Sequence, residues 1–143
     1  MSGLTLIVKT ITKLILGFIL VYGAGVVVYG HVTPGGGFAG GVMMACALIL
    51  LVLAFGKNAA FSVISEKTLS HWDVFAVVSV VEIFFIGFIG GPFVKNLFPH
   101  GTPMRIFSGG TVMWSNVGVG IKVAVFLFAV FMALATFRMT RER

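Results

Sequence analysis

The chain carries few charges of either sign and fewest that are acidic, with four Asp and Glu against ten Lys and Arg in 143 residues. A soluble domain has charge on about a quarter of its residues, because its surface must be hydrated. Here charged residues are 10% and apolar ones 59%, with a mean hydropathy of +1.12. That scarcity excludes a water-soluble globule and points to a membrane protein. Cysteine is nearly missing as well. Cys46 stands alone, so the chain can form no internal disulfide or cysteine metal cluster, and its apolar surroundings predict a core-packing role. No segment alternates polar and apolar residues with period two, which excludes barrel strands. Also absent is any Ser-His-Asp, Cys-His or paired-carboxylate constellation, so no covalent or acid–base catalysis is expected. His31, His71 and His100 are scattered, and neither a metal site nor a cofactor is expected.

What is present is four long apolar runs, read as spans of approximately 5–30, 37–56, 74–94 and 113–137. Each exceeds the roughly 17 residues that cross a hydrocarbon core of about 30 Å at about 1.5 Å per residue. The expected fold is an all-α bundle of four transmembrane helices in one domain covering 1–143. The first run is long, lacks a good small-x-small cleavage site and leads straight into another span, so it reads as a retained helix rather than a signal peptide. Four spans put both termini on one side, with Lys9, Lys13, Lys57, Lys67, Arg138, Arg141 and Arg143. The other side has Lys95 and Arg105, so the first side is expected to be cytoplasmic and the membrane to be the cell membrane. These positions also explain the net charge of +6 without nucleic acid, since no aromatic-interleaved basic patch occurs.

The run His31–Gly41 reads HVTPGGGFAGG, and Gly35, Gly37 and Gly40 have the G-x-G-x-x-G spacing of a dinucleotide loop. That spacing has meaning only after a strand, before a helix and with an acid about 20 positions on. This run follows a membrane span and no acid lies between Gly41 and Ala60, so no nucleotide is expected. A tight reversal between antiparallel helices accounts for it better. Pro34 has no N–H and biases Thr33 away from helix, which stops the first span. Gly35, Gly36 and Gly37 can take positive φ at little cost. Gly36 with Gly40, and Gly37 with Gly41, form small-xxx-small pairs that admit a neighbouring helix closely. Phe38 then projects from a bare surface. Two readings stand at this point: a compact hairpin, and a docking surface for another subunit, to which His31 beside the hinge also belongs.

The run Gly30-His31-Val32-Thr33-Pro34-Gly35-Gly36-Gly37-Phe38-Ala39-Gly40-Gly41 resembles the signature of the B subunit of Mrp-type multisubunit sodium/proton antiporters. The same module recurs in archaeal membrane-bound hydrogenase complexes. Size, span number and the position of the loop extend the resemblance over essentially the whole chain. Ala39 departs from the pattern, where a glutamine is expected in many members, and points toward a hydrogenase-type or other divergent branch. The resemblance implies an accessory subunit beside large proton-pumping subunits, in a complex that moves Na+ and H+.

Two charges interrupt the apolar runs: Glu82 in the third and Lys122 in the fourth. An ionisable group at the bilayer centre costs roughly 2.5–3.5 kcal/mol on insertion scales, so it normally faces a partner, water or a pathway. Counted from Val74 and Met113, the two lie about 12 Å and about 14 Å from opposite faces, depths that would let them meet. Three readings stay open: an ion pair between them, a place in a proton or sodium path, and separate pairing with other chains. His71, Trp72 and Asp73 read as an interfacial anchor, Ser115 and Asn116 as hydrogen-bonding across helices, and His31 as a helix cap or titrating group. The functions compatible with all this are an antiporter subunit, the same module's subunit in a hydrogenase or sulfur-reducing complex, a pure assembly scaffold, and a self-sufficient homo-oligomeric transporter.

Overall fold

The computed structural model describes residues 5–56, 65–89 and 106–141. Expectations that fall on Lys57, Lys95, His100, Arg105, Arg143 and the 90–94 end of the third span lie outside these residues. The described chain forms four long helices: α1 (Leu6–Val28), α2 (Gly36–Phe55), α3 (Glu66–Ile89) and α4 (Thr111–Arg141). A short 3-10 turn, Ile106–Gly109, leads into α4. All four helices are long and apolar enough to cross a membrane, as the all-α expectation required. Lipid offers no hydrogen bonds, so each crossing segment must satisfy its own backbone, and a helix does that internally.

Helix α3 starts at Glu66, a full two turns before the Val74 start expected from the apolar run. Lys67, His71 and Asp73 are therefore helical residues, with the His71 ring donating from Nδ1 to the Lys67 carbonyl over 2.6 Å. Trp72 crosses Phe75 edge to face, ring centroids 6.0 Å apart. At the same end of the bundle the Lys13 ammonium lies 5.6 Å from the centre of the Phe55 ring, which holds the start of α1 against the finish of α2.

The helices pack in the order α1, α2, α4, α3, with α1 touching α4 only lightly. Helices α1 and α2 form an antiparallel hairpin. Helix α2 runs parallel to α4, since Gly37 and Gly41 face Asn116 and Gly120, and α3 runs antiparallel to α4. The bundle thus has a hinge end, where α2 and α4 begin, and a termini end, where α1 begins and α4 finishes.

The core is rich in small side chains, with Phe128, Met113 and Met132 as its large members. Ala45, Ala47, Ala54, Ala76 and Ala124 are buried with Gly37, Gly40 and Gly41, whereas Phe18, Phe84, Phe85, Phe88 and Phe137 face outward. Water would impose the opposite distribution. In lipid the helices gain nothing by hiding phenylalanine, and close backbone approach supplies the packing energy instead. Cys46 corrects the sequence reading, because it is exposed. At about 100° per residue it lies about 180° round α2 from Gly37, the residue that meets α4. Its neighbours Ala45 and Ala47 fill the two contact faces, and Cys46 falls between them on the outside.

Candidate functional site: the glycine hinge and the intramembrane charges

The hinge follows from its residues one by one. The Tyr29 N–H closes α1 on the Gly25 carbonyl at 2.9 Å, and the Thr33 hydroxyl donates to the Tyr29 carbonyl at 3.0 Å. Pro34 is exposed and cannot continue the helix. Gly35 and Gly36 then take φ of 143° and 71°, a region that other residues reach only under strain. Gly37 is already helical, and its role is close approach. A Cβ there would run into the Asn116 backbone, and one on Gly41 would stand 2.6 Å from the Gly120 carbonyl oxygen. Gly40 does the same for α1, where a Cβ would meet Val27 and approach the Gly23 carbonyl oxygen to 2.6 Å.

So the small residues His31–Gly41 brings together are spent mainly on this chain's own helices, Gly40 on α1 and Gly37 and Gly41 on α4. Phe38 is different: it is 65% exposed and touches none of that interior. His31 reaches the 3-10 turn, its Nε2 lying 3.2 Å from the Ser108 hydroxyl and its ring against Gly109, where a Cβ would come within 2.7 Å. It pins the hinge to the start of α4. Asn116 wedges under the hinge by its backbone, and among the described residues neither it nor Ser115 makes a hydrogen bond across helices.

The intramembrane charges are arranged otherwise than depth alone predicted. Lys122 on α4 pairs with Asp73 on α3, Nζ to Oδ1 at 2.5 Å, the two side chains 36% and 35% exposed. Glu82 does not join them. It lies nine residues beyond Asp73, about 13 Å further along the axis, and about 200° round the helix from Val80, which packs on Gly118 of α4. Among the described residues Glu82 has neither ion-pair nor hydrogen-bond partner, and it is exposed. The depth estimate erred because it began α3 at Val74 and left Asp73 at the interface. With α3 beginning at Glu66, Asp73 is the acid that comes level with Lys122. No signal in the sequence singles out Asp73, because which stripes of α3 and α4 face each other follows only once the start of α3 is known.

Beside the pair is a cavity of about 330 Å³ on its termini side, lined by Leu69, Ser70, Asp73, Val125, Phe128 and Met132. Its walls are apolar except for Ser70 and the Asp73 carboxylate. No three metal-ligating side chains come together among the described residues.

Residues 7–129 match the family described as a domain related to the MnhB subunit of the Na+/H+ antiporter. An uncharacterized protein of Methanocaldococcus jannaschii is 36% identical over 117 residues, which is 76% of this chain and 41% of that protein. A putative antiporter subunit mnhB2 of Staphylococcus aureus is 30% identical over 131 residues, covering 85% of this chain and 92% of the relative. The fold matches a chain in the structure of the membrane-bound sulfane sulfur reductase, an archaeal respiratory membrane complex. The TM-score is 0.76 at 27% identity, over 91% of this chain and 60% of that one. The chain thus spans under half of the Methanocaldococcus protein, somewhat under two thirds of the reductase chain and nearly all of the staphylococcal one. With the match running from the first helix into the fourth, the chain belongs to the family of the MnhB subunit of Na+/H+ antiporters.

Proposed function

We propose that the chain is an accessory, non-catalytic membrane subunit of an Mrp-type cation/proton antiporter module, working beside other membrane subunits that move Na+ and H+. The observation that carries this reading is the family match over residues 7–129, joined to a relative of nearly the same length described as an antiporter subunit. The fold supports it. Helix α3 has α4 as its chief neighbour and leaves most of its surface uncovered, which suits an element that completes a larger assembly rather than a closed transporter. In this reading the chain lies in the cell membrane with both termini cytoplasmic, as the distribution of Lys and Arg favours, and Phe38 with the outer face of the hinge meets a neighbouring subunit. Asp73 and Lys122 lock α3 to α4, and Glu82 is left facing outward.

The experiment is deletion and complementation. In a host relying on the parent complex, loss of this chain abolishes Na+/H+ exchange in everted membrane vesicles and its return restores it. Exchange that persists without the chain contradicts the proposal. A Lys122→Met complex that assembles and exchanges normally keeps Lys122 out of the ion path, and the same readout on Glu82→Gln decides for Glu82.

A second reading has its own observation, the structural match to the sulfane sulfur reductase complex. In it the same module couples ion movement to redox chemistry held on other chains. Redox subunits purifying with the tagged chain favour this branch, and antiporter subunits alone favour the first.

A further inference from the structure

Helix α3 is the least covered of the four spans: 11% of its apolar stretch is buried, against 17% for α1 and 33% for α2 and for α4. The side turned to α4 carries Asp73, Ala76 and Val80. On the opposite side, residues spaced three, four and seven apart line up as one stripe: Phe75, Val78, Glu82, Phe85 and Ile89, all exposed. Four are apolar and suited to lipid. Glu82 is not. A carboxylate in the span is costly unless something meets it, and among the described residues nothing does.

We propose that this stripe is the docking surface for a transmembrane helix of a different subunit, one that presents a lysine or arginine level with Glu82. The proposal rests on the chain being a subunit of a larger membrane complex. Charge complementarity selects the occupant. Lipid tails would leave the carboxylate unmet. A second copy using the same face would bring two Glu82 carboxylates together across a two-fold axis. Nor can another copy lend its own base from elsewhere among the described residues. Lys122 is held by Asp73, and Lys9, Lys13, Lys67, Arg138 and Arg141 sit at the termini end, whereas Glu82 lies in the hinge half of α3. The flanking Phe75 and Phe85 would pack around the incoming helix and exclude water, which strengthens the charge pair between them.

The test uses the intact complex purified through a tag on this chain. With Glu82 native, Phe85 is replaced by the photo-cross-linker p-benzoylphenylalanine, and the cross-linked peptide is sequenced. The expected product joins Phe85 to a membrane helix of another subunit that has a Lys or Arg within one turn of the cross-link. Cross-links to lipid alone, to a second copy of this chain, or to a helix without such a base overturn the proposal while leaving the subunit reading standing. A chain that purifies with no other subunit overturns both. In the same complex Glu82→Lys lowers recovery of the cross-linked subunit by about tenfold or more, Glu82→Gln lowers it less, and changing the partner's base to Glu restores it in the Glu82→Lys background. Equal recovery for all three would also refute the pairing.

Discussion

At the scale of single residues, the chain shows how strongly a bilayer enforces pairing. Lys122 stands in the middle of an apolar helix, and the fold brings Asp73 from the neighbouring helix to within 2.5 Å of it. Neutralising one member leaves the other uncompensated, whereas neutralising both removes the problem together with the bond. Asp73→Asn and Lys122→Met are each expected to destabilise the chain by about 1.5–3 kcal/mol, the range for hydrogen bonds between charged groups. The double substitution should cost clearly less than the sum. Unfolding of the four proteins in detergent micelles measures this, and strict additivity would show that the pair contributes nothing as a pair. The existence of a partner for Lys122 was legible from composition and cost alone. Its identity was not, because that depends on where α3 begins. A sequence window reads Glu66, Lys67, His71 and Asp73 as a polar loop edge, yet a helix start is decided by backbone bonding such as that from the Leu69 N–H to the Ser65 carbonyl at 3.0 Å.

At the scale of elements, glycine does in this membrane protein what leucine does in a soluble core. Gly37, Gly40 and Gly41 let α2 approach α4 and α1 backbone to backbone, and Phe128 on α4 is the one aromatic side chain buried among the described residues. Two helical glycines make a direct comparison. At Gly17 an added Cβ has nothing within 4 Å, while at Gly37 it collides with the Asn116 main chain. Gly17→Ala should therefore be neutral or mildly stabilising, by up to about 1 kcal/mol of helix propensity. Gly37→Ala should destabilise by about 1–3 kcal/mol through overpacking, visible as a lower thermal midpoint of the detergent-solubilised chain. Equal midpoints for the two would mean that α2 and α4 have room to part. The spacing of Gly37 and Gly41 announced a close helix contact in the sequence, but not with which helix. The run HVTPGGGFAGG equally fitted a surface reserved for another subunit, and only the antiparallel and parallel registers show that most of it serves the chain's own interior. Cys46 failed for a related reason. Hydropathy cannot distinguish the inner from the outer side of a helix that is apolar all round.

At the scale of the whole molecule, the four described helices contact one another mainly in the order α1, α2, α4, α3, so that α1 and α3 each have one chief neighbour. This arrangement leaves much surface uncovered: Phe38 at the hinge and the Glu82 stripe on α3 are exposed and turned away from the described helices. The fold class could be read from charge scarcity and four apolar runs, since lipid leaves so few alternatives. The open edges could not, because an apolar residue facing lipid and one facing a protein helix obey the same hydropathy. Open edges bearing a carboxylate that no described residue meets are the mark of a component, and so this chain has the build of a part rather than of a transporter in its own right. The most direct measurement is the native mass of the tagged chain extracted gently from its own membrane, together with cation/proton exchange by the chain reconstituted alone. A large hetero-oligomer containing other multi-pass subunits, with no exchange by the isolated chain, is the predicted result. A homo-oligomer that exchanges cations for protons by itself in liposomes would contradict it.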